Sequence, residues 1–155
     1  MKILIMSDSH GNRKAMLKAV ESESPEMILH LGDYDRDCSA LMEKYPEIPL
    51  HSVRGNCDRS SDGRDTFMLT LGGKRVLMTH GHLYRVKSGI SIVKDNAIAR
   101  GADVLLFGHT HIPYYDPQAG LTMINPGSVG MGGKTYAVLE IKNGVVICDM
   151  KSVGV

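Results

Sequence analysis

The sequence predicts an α/β fold in which two packed β-sheets are flanked by helices, and three observations support it. The first third alternates apolar runs with helical patterns in the order β-α-β-α-β, which implies right-handed crossovers and a parallel sheet. The segment after residue 65 reads as strands joined by turns, with a single helix among them. No linker, repeat or low-complexity segment interrupts the chain, so we expect one domain over residues 1–155.

The elements of the first third follow from the apolar runs and from the residues that end them. Residues 2–7 form a nearly all-apolar strand, which is typical of a strand covered on both faces. Asn12 can cap the helix that follows, and Ser24-Pro25 ends that helix. A strand, a helix and a further strand are then predicted over residues 26–31, 35–44 and 50–53.

The rest of the chain is richer in strands. Residues 66–71 and 74–79 alternate in polarity around Gly72-Gly73, which predicts a hairpin with a two-residue turn. One more helix is predicted over 86–100, with an apolar stripe formed by Ile90, Val93, Ala97 and Ile98. The remaining strands are predicted over residues 103–107, 112–116, 121–124, 135–141 and 145–150.

The composition disfavours two classes of partner. With 18 basic and 17 acidic side chains the formal net charge is +1, so the chain lacks the basic face that a nucleic-acid backbone requires. Its three cysteines match no zinc knuckle or redox pair and suit a reducing compartment.

The apolar stretch after Met1 is too short for a signal peptide, and no run approaches the ~20 apolar residues of a membrane span. We therefore expect a cytoplasmic protein without a membrane partner.

Five predicted strands are followed by the same kind of cluster, in which Asp, His or Asn stands beside Gly. Because side chains just beyond the carboxyl ends of strands in an α/β fold converge on one crevice, we expect these clusters to meet. The neighbouring glycines allow unusual backbone angles and the close approach of a ligand. The clusters are Asp8-Ser9-His10-Gly11-Asn12, Gly32-Asp33, Gly55-Asn56-Cys57-Asp58, His80-Gly81-His82 and Gly108-His109-Thr110-His111.

These clusters offer oxygen and imidazole nitrogen, a donor set that suits divalent Mn, Fe, Co, Ni or Zn, of which we expect Mn first. Residues two apart on an extended segment point the same way, so Asp8 with His10 can hold one ion. Asp33 comes alone from the neighbouring strand end, which is the natural position for a bridge between ions. Seven donors are too many for one ion and fit two. The candidate ligands are Asp8, His10, Asp33, Asn56, His80, His109 and His111.

A simpler interpretation exists for each cluster taken alone, because an Asp or His after a strand is usually a turn former or a surface group. Five clusters at matching positions make that interpretation a poor one, and five of the seven histidines fall within them. The other two histidines are not expected to be ligands. His30 lies inside an apolar strand and reads as a packed core residue, whereas His51 reads as structural or exposed.

The order and spacing of the clusters resemble the calcineurin-like metallophosphoesterase superfamily over residues 8–111. The short chain, the form Gly55-Asn56-Cys57-Asp58 and the later Asn125-Pro126-Gly127-Ser128 are similar to its small bacterial and archaeal phosphodiesterase branch, which includes a eukaryotic retromer scaffold subunit. The resemblance implies a four-layer α/β/β/α sandwich of two mixed β-sheets flanked by helices. This agrees with the two sheets predicted from the pattern of elements.

The resemblance also implies how the ligands divide between two ions that share Asp33. A hydroxide between the ions would attack phosphorus in line with the leaving oxygen, while the ions lower the pKa of that water and neutralise the phosphoryl oxygens. The first ion would be held by Asp8, His10, Asp33 and His111, and the second by Asp33, Asn56, His80 and His109.

Cys57 departs from the pattern of the wider superfamily, whose enzymes place a histidine beside the Asn ligand to protonate the leaving group. A neutral thiol with a reference pKa of ~8.5 replaces an imidazolium poorly near neutral pH. We therefore hypothesise weak monoesterase activity and a preference for diesters, above all those with good leaving groups.

Three further residues have two interpretations each. Asp58 can orient a catalytic histidine or the Asn56 loop, or it can simply form a turn. His82 can contact the substrate phosphate or donate a proton, or it can be a hydrogen-bonded loop residue. Asn12 can reach a phosphate oxygen, although capping the helix is the better interpretation. Together with Asn56 and Cys57, these residues complete the candidate catalytic and substrate-binding set.

The preferred function is a two-metal phosphodiesterase acting on a small phosphodiester, and three alternatives stay open. A non-catalytic scaffold predicts substituted ligands, whereas all seven positions here hold competent residue types. A nuclease would need basic or aromatic tracts, and the chain has no Trp and two Phe. A phosphomonoesterase is disfavoured by Cys57 alone. An oligomer of identical chains is compatible with each function.

Overall fold

The computed structural model of the chain describes residues 1–154, in which ten strands and three α-helices are found. Three short 3₁₀ helices cover Asp35–Asp37, His82–Tyr84 and Val86–Ser88. The α-helices are α1 (Arg13–Glu23), α2 (Cys38–Lys44) and α3 (Ser91–Ala99). The strands are β1 (Lys2–Met6), β2 (Met27–His30), β3 (Leu50–Ser52), β4 (Thr66–Leu71), β5 (Lys74–Thr79), β6 (Val104–Leu106), β7 (Pro113–Gln118), β8 (Leu121–Pro126), β9 (Thr135–Lys142) and β10 (Val145–Ser152).

The strands form two mixed sheets of five strands each, which confirms the predicted α/β class. The first sheet has the order β10-β9-β1-β2-β3, in which β1, β2 and β3 are parallel. The second has the order β4-β5-β6-β8-β7, in which β5, β6 and β8 are parallel. The parallel strands of the first sheet thus form one side of it, with β3 at the edge, and those of the second sheet form its centre. Within each sheet the loops that follow the parallel strands leave at one edge.

Strand alternation divides the apolar residues among the layers of the fold. On β1, Ile3 and Ile5 face the core between the sheets, whereas Leu4 and Met6 pack with residues of α1 and α2. On β6, Leu105 packs with Val93 of α3 on the outer face of the second sheet. Because β1 and β6 carry apolar side chains on both faces, they are the nearly all-apolar runs visible in the sequence. The order of layers is helices, sheet, sheet, helix.

The predicted element order is correct, but two predicted helices are each divided, and several strand ends differ by one or two residues. Residues 35–44 form the 3₁₀ turn Asp35–Asp37 followed by α2. The helix predicted over 86–100 is divided into the 3₁₀ turn Val86–Ser88 and α3, because Gly89 has φ 144° and ψ 164°, outside any helical region. Ile98 is 55% exposed, so it does not belong to the apolar stripe, whereas Val93 and Ala97 are fully buried. Among the described residues, no helix is long and apolar enough to cross a membrane.

Candidate metal centre

The seven candidate ligands meet at the edge where the parallel strands of both sheets end. Asp8 and His10 follow β1, Asp33 follows β2, and Asn56 follows β3 of the first sheet. The second sheet contributes His80, directly after β5, and the pair His109 and His111 after β6. The convergence expected from strand ends is therefore present, and it draws side chains from both sheets.

One group of donors contains Asp8, His10 and His111, whose ligand atoms all lie within 4.8 Å of one another. His111 Nε2 is 3.1 Å from Asp8 Oδ1, and His10 Nε2 is 3.8 Å from the same oxygen. His10 Nε2 is also 3.7 Å from Asp33 Oδ2, which brings the Asp33 carboxylate to the border of this group.

A second group contains Asp33, His80 and His109, again within 4.8 Å of one another. His80 Nε2 lies 3.5 Å from Asp33 Oδ1, 3.2 Å from His109 Nδ1 and 3.1 Å from Asn56 Oδ1. The two oxygens of Asp33 thus face different groups, Oδ2 toward His10 and Oδ1 toward His80. This is the arrangement that a bridging carboxylate requires.

The donors in these groups fit divalent metal ions. His10 Nε2 is buried and has no hydrogen-bond partner, although it points among carboxylates. The His80 Nδ1 atom lies 2.8 Å from the Leu31 carbonyl oxygen and can donate a hydrogen bond to it. The lone pair of Nε2 is then available to bind a metal ion. A buried nitrogen without a partner is costly in a folded protein, and a metal ion would satisfy it.

Burial and charge favour metal-binding protonation states for His109 and Asp33, whereas the raised pKa of His80 favours an imidazolium that must lose a proton before it binds an ion. Burial, helped by the nearby positive charges of His80 and Lys87, lowers the pKa of His109 to about 4, so its imidazole is neutral at pH 7. Burial would raise the pKa of Asp33, but hydrogen bonds from His80 and from the backbone of Cys57 outweigh it and hold this pKa well below its usual range. For His80 the hydrogen bond to Asp33 and the charges of Asp8 and Asp33 outweigh burial and raise the pKa.

The backbone at these ligands is unusual. Five of the seven candidates have positive φ: Asp8 (55°), His10 (45°), Asp33 (62°), His109 (70°) and His111 (62°). Non-glycine residues rarely adopt this left-handed region, and each such residue is disfavoured by roughly 1 kcal/mol or more. Strain concentrated at one cluster points to a site whose geometry is maintained against local preference.

Two glycines let the loops approach closely enough to form the centre. A Cβ on Gly55 would clash with the Asp33 carboxylate, and one on Gly108 would clash with the side chains of Ser7 and Asp8. Neither glycine has positive φ, so its role is close approach and not backbone freedom.

Asp58 binds backbone rather than a histidine. Its buried carboxylate accepts hydrogen bonds from the N–H groups of Asp33 (2.8 Å), Gly55 (2.8 Å) and Asp35 (3.1 Å). It therefore joins the loop after β2 to the loop after β3. These contacts give Asp58 a positioning role, since both of its oxygens are occupied by main-chain donors.

The segment Asn125-Pro126-Gly127-Ser128 supports two ligand loops and is only partly a turn, because its first two residues end β8. Asn125 Nδ2 donates to the Gly108 carbonyl (3.1 Å) and to Thr110 Oγ1 (2.9 Å). Ser128 Oγ donates to the carbonyl of Asp8 (2.7 Å). The segment therefore fixes the backbone beside Asp8 and His109.

Of the three candidate substrate contacts, Asn12 has little left to offer a ligand. Its Oδ1 accepts from Ala15 N (3.1 Å) as the cap of α1, and its Nδ2 donates to the Gly130 carbonyl (3.2 Å). Capping is thus the role that its contacts support.

His82 and Cys57 both lie beside the ligands. The His82 ring is centred 5.3 Å from the ring of His80, and its Nδ1 atom is buried without a partner. Cys57 Sγ lies within 4.8 Å of ligand atoms of His10 and Asp33, although its side chain is exposed. Burial of the thiol and the negative charge of Asp33 raise the pKa of Cys57, which keeps the thiol protonated at neutral pH.

The two histidines set aside in the sequence lie outside the donor groups. His30 is buried behind the centre, where its Nδ1 accepts from Gly32 N (3.2 Å) and its Nε2 contacts the Ser9 hydroxyl (3.3 Å). Burial lowers its pKa to about 4. His51 stacks on Phe67 of β4, with ring centroids 5.1 Å apart.

Two residues of the centre have no counterpart in the sequence reasoning. Asp37, buried, accepts from Ser9 Oγ (2.8 Å), Gly11 N (2.8 Å) and Arg13 Nε (3.1 Å), and so holds the loop that carries His10. The Tyr34 ring is centred 5.1 Å from the His10 ring. Tyr34 follows Asp33 directly, which was the one available signal, whereas Asp37 acts on residues 24–28 positions away.

Comparisons with known proteins show which family the chain resembles. Residues 1–144 match the calcineurin-like phosphoesterase superfamily domain. The chain is 37% identical to the probable metallophosphoesterase YsnB of Bacillus subtilis, over 92% of this chain and 86% of that protein. It is 29% identical to the phosphodiesterase YfcE of Escherichia coli K12, over 90% and 88%. A Streptococcus pneumoniae protein of known structure, described as a predicted phosphoesterase, superposes with a TM-score of 0.81 at 25% identity, over 97% and 88%.

Proposed function

Because the chain belongs to the calcineurin-like phosphoesterase superfamily, we propose that it hydrolyses small phosphodiesters with two divalent metal ions that share Asp33. Its family and its relatives make it a metal-dependent phosphoesterase. We propose in addition that it binds two ions, that it prefers diesters and that its residues have specific roles.

One observation carries the proposal: the Asp33 carboxylate has one oxygen toward each group of donors. The first ion would be held by Asp8, His10, Asp33 and His111, and the second by Asp33, Asn56, His80 and His109. Oxygen and imidazole donors of this kind suit Mn²⁺ and also Fe²⁺, Co²⁺, Ni²⁺ or Zn²⁺. Mn²⁺ is the ion we expect to support most activity.

When bound, two such ions neutralise charge on the phosphoryl oxygens and lower the pKa of a water held between them, so that it supplies hydroxide. The chain's own residues orient that chemistry. Asp58 fixes the loops of Asp33 and Asn56 through three backbone N–H groups. We assign His82, beside His80, to contact the substrate phosphate, since burial lowers the pKa of His82 and makes it a poor proton donor near neutral pH.

The preference for a diester follows from Cys57. A thiol that stays protonated is a weak acid beside the leaving group, so esters whose leaving oxygen needs little protonation react best. The name of the Escherichia coli relative, a phosphodiesterase, supports this choice over a monoesterase.

The test is hydrolysis of bis(4-nitrophenyl) phosphate and of 4-nitrophenyl phosphate by metal-stripped protein, re-supplied with each divalent ion in turn. We expect activity to appear with metal, to be highest with Mn²⁺ and to favour the diester. Asp33→Asn should lower kcat/KM by about 10²-fold or more, since it weakens both ion sites. Asp95→Asn, at an exposed position of α3, is the matched control and should be unaffected.

Two results would contradict the proposal. If Asp33→Asn is as active as the unaltered chain, Asp33 is not a ligand shared by two ions. If no divalent ion elicits hydrolysis of either ester, a non-catalytic scaffold becomes the better interpretation of the same fold.

A further inference from the structure

An apolar cavity of about 640 Å³ opens between the start of α3 and the loop that precedes β7. This volume lies within the usual range for small-molecule sites. The rings of Phe107 and Tyr114 are 6.1 Å apart, centre to centre, at an interplanar angle of 55°. The apolar lining consists of Val86, Ile90, Phe107, Ile112 and Tyr114.

The loop that carries two candidate ligands also lines the cavity, through Thr110. This residue lines the cavity and stands between the candidate ligands His109 and His111 in the chain. Its Oγ1 atom accepts from Asn125 Nδ2 (2.9 Å) and from Ile112 N (3.2 Å), so the loop that separates the two spaces is held in place. The cavity therefore lies on the other side of a fixed loop from the candidate ligands, one residue away from each of them along the chain.

The charge in this region is positive. Lys87 is the one charged residue among the described residues that line the cavity, and no carboxylate faces it there. Lys87 belongs to the 3₁₀ turn Val86–Ser88, on the segment that follows the candidate ligand His80 in the chain. A phosphate at the metals with an uncharged group in the cavity would match this distribution.

Ile112 indicates that the cavity is built for an apolar occupant. Its side chain is 67% exposed, the largest exposure of any large hydrophobic residue in the described chain, and it stands one residue after a candidate ligand. An apolar side chain left this exposed at the rim of an apolar cavity would lose its contact with water if an apolar group bound there, which favours such binding.

We propose that this cavity binds the aromatic or bulky apolar ester group of the substrate, with Lys87 toward its phosphate. The inference rests on the proposed function for the position of that phosphate. The proposed substrates are phosphodiesters that carry an aryl or large apolar ester group, and not those with two small polar ester groups.

The experiment compares two ligands that cannot be hydrolysed, methylphosphonate and (1-naphthyl)methylphosphonate, by calorimetric titration of the Mn²⁺-loaded and the metal-free protein. The naphthyl compound should bind at least about tenfold more tightly, because its ring leaves water on binding. The preference should persist in the metal-free protein, where both compounds bind more weakly.

Two variants separate the apolar from the charged contribution. Ile112→Asp should bring the naphthyl-to-methyl affinity ratio close to one, whereas Lys87→Gln should weaken both compounds by a similar factor. Ile98→Asp, at an exposed apolar position on α3 outside the cavity, should keep the ratio of the unaltered chain. Thermal unfolding of each variant shows that it is folded.

Equal affinity for the two compounds, or a ratio that survives Ile112→Asp, would overturn the inference. This failure is distinct from failure of the proposed function. A protein that hydrolyses bis(4-nitrophenyl) phosphate with metal but shows no naphthyl preference retains the function and lacks the cavity site. If the protein shows no hydrolytic activity but binds the naphthyl compound more tightly in a way that depends on Ile112, the cavity site stands and the proposed function fails.

Discussion

Cys57 stands beside the candidate ligands, with its sulfur near His10 and Asp33 and its backbone N–H donating to Asp33 Oδ1 (2.9 Å). The backbone contact and the side chain act separately. Any residue except proline supplies this N–H at position 57, so the loop and its hydrogen bond to Asp33 do not depend on the thiol. The side chain can therefore be exchanged to ask what kind of acid the leaving group meets.

Replacing Cys57 with His should raise monoester hydrolysis relative to diester hydrolysis, by about tenfold or more in the ratio of kcat/KM. An imidazole with an ordinary pKa of ~6.5 is partly protonated near neutral pH, whereas the thiol donates poorly. The measurement is steady-state kinetics on 4-nitrophenyl phosphate and bis(4-nitrophenyl) phosphate. Cys57→Ser, which offers no stronger acid, should leave the ratio unchanged. An unchanged ratio in Cys57→His would show that the leaving-group argument is wrong.

At the scale of residues, the sequence predicted the ligand types better than their supports. Asp8, Asp33 and the histidines could be found because each follows an apolar run, which is a local signal. Asp37 could not be found this way, because its partner Ser9 lies 28 positions earlier in the chain. Nothing in the local pattern around Asp37 distinguishes it from a helix-start residue.

At the scale of elements, the order of strands and helices was predictable, and the divisions within two helices were not. The hairpin of β4 and β5 was placed correctly because Gly72 and Gly73, with φ 55° and 79°, provide the turn that its strands need. The break before α3 was missed because Gly89 interrupts a pattern whose apolar spacing continues through it. Its extended conformation is imposed by tertiary structure, which spacing alone does not reveal.

Glu23 joins the end of α1 to the last two strands. Its carboxylate accepts from Tyr136 Oη (2.8 Å) on β9 and from Lys151 Nζ (3.0 Å) on β10, and Lys2 Nζ lies 3.8 Å away. Burial would raise the pKa of Glu23, but the hydrogen bonds from Tyr136 and Lys151 and the positive charges outweigh it, so the pKa is lowered.

A carboxylate with a lowered pKa in the folded state stabilises the protein above its unfolded pKa of ~4.3, and this contribution is lost as pH falls through the folded pKa. Glu23→Gln should therefore reduce the free energy of unfolding at pH 7 by about 1–2 kcal/mol. The difference from the unaltered chain should shrink below about pH 4. Urea denaturation at pH 7 and at pH 3 measures it.

Glu21→Gln is the matched control. Glu21 lies on α1, as Glu23 does, and forms an exposed ion pair with Lys44 of α2. Such pairs contribute little, so this variant should differ from the unaltered chain by less than about 1 kcal/mol at either pH. A Glu23→Gln difference that is the same at pH 3 and pH 7 would mean that the charge of Glu23 is not what stabilises the contact.

At the scale of the whole molecule, each proposed ion takes ligands from both sheets. The first sheet supplies Asp8, His10, Asp33 and Asn56, and the second supplies His80, His109 and His111. The ions would therefore connect the two halves of the fold at one edge of the core between the sheets. Metal binding should stabilise the folded chain as well as activate it.

Adding Mn²⁺ to the metal-stripped protein should raise Tm. An ion present at 100 times its Kd contributes about 2.7 kcal/mol, or roughly 5–10 °C for a chain of this size. Thermal scans with chelator and with Mn²⁺ measure the shift. His111→Ala should lose the part of the shift that comes from the first ion, whereas His51→Ala, a histidine outside the donor groups, should keep the full shift. A full shift in His111→Ala would exclude His111 as a ligand.

The left-handed backbone at Asp8, His10, Asp33, His109 and His111 has a consequence for laboratory evolution. Glycine or asparagine at such positions relieves backbone strain, so a library selected only for heat resistance in the presence of chelator should accumulate these residues there. Selection for turnover should remove the same variants. Glycine and asparagine would thus be enriched at these five positions by one selection and depleted by the other. Sequencing both pools would identify the residues of the centre without any structural information.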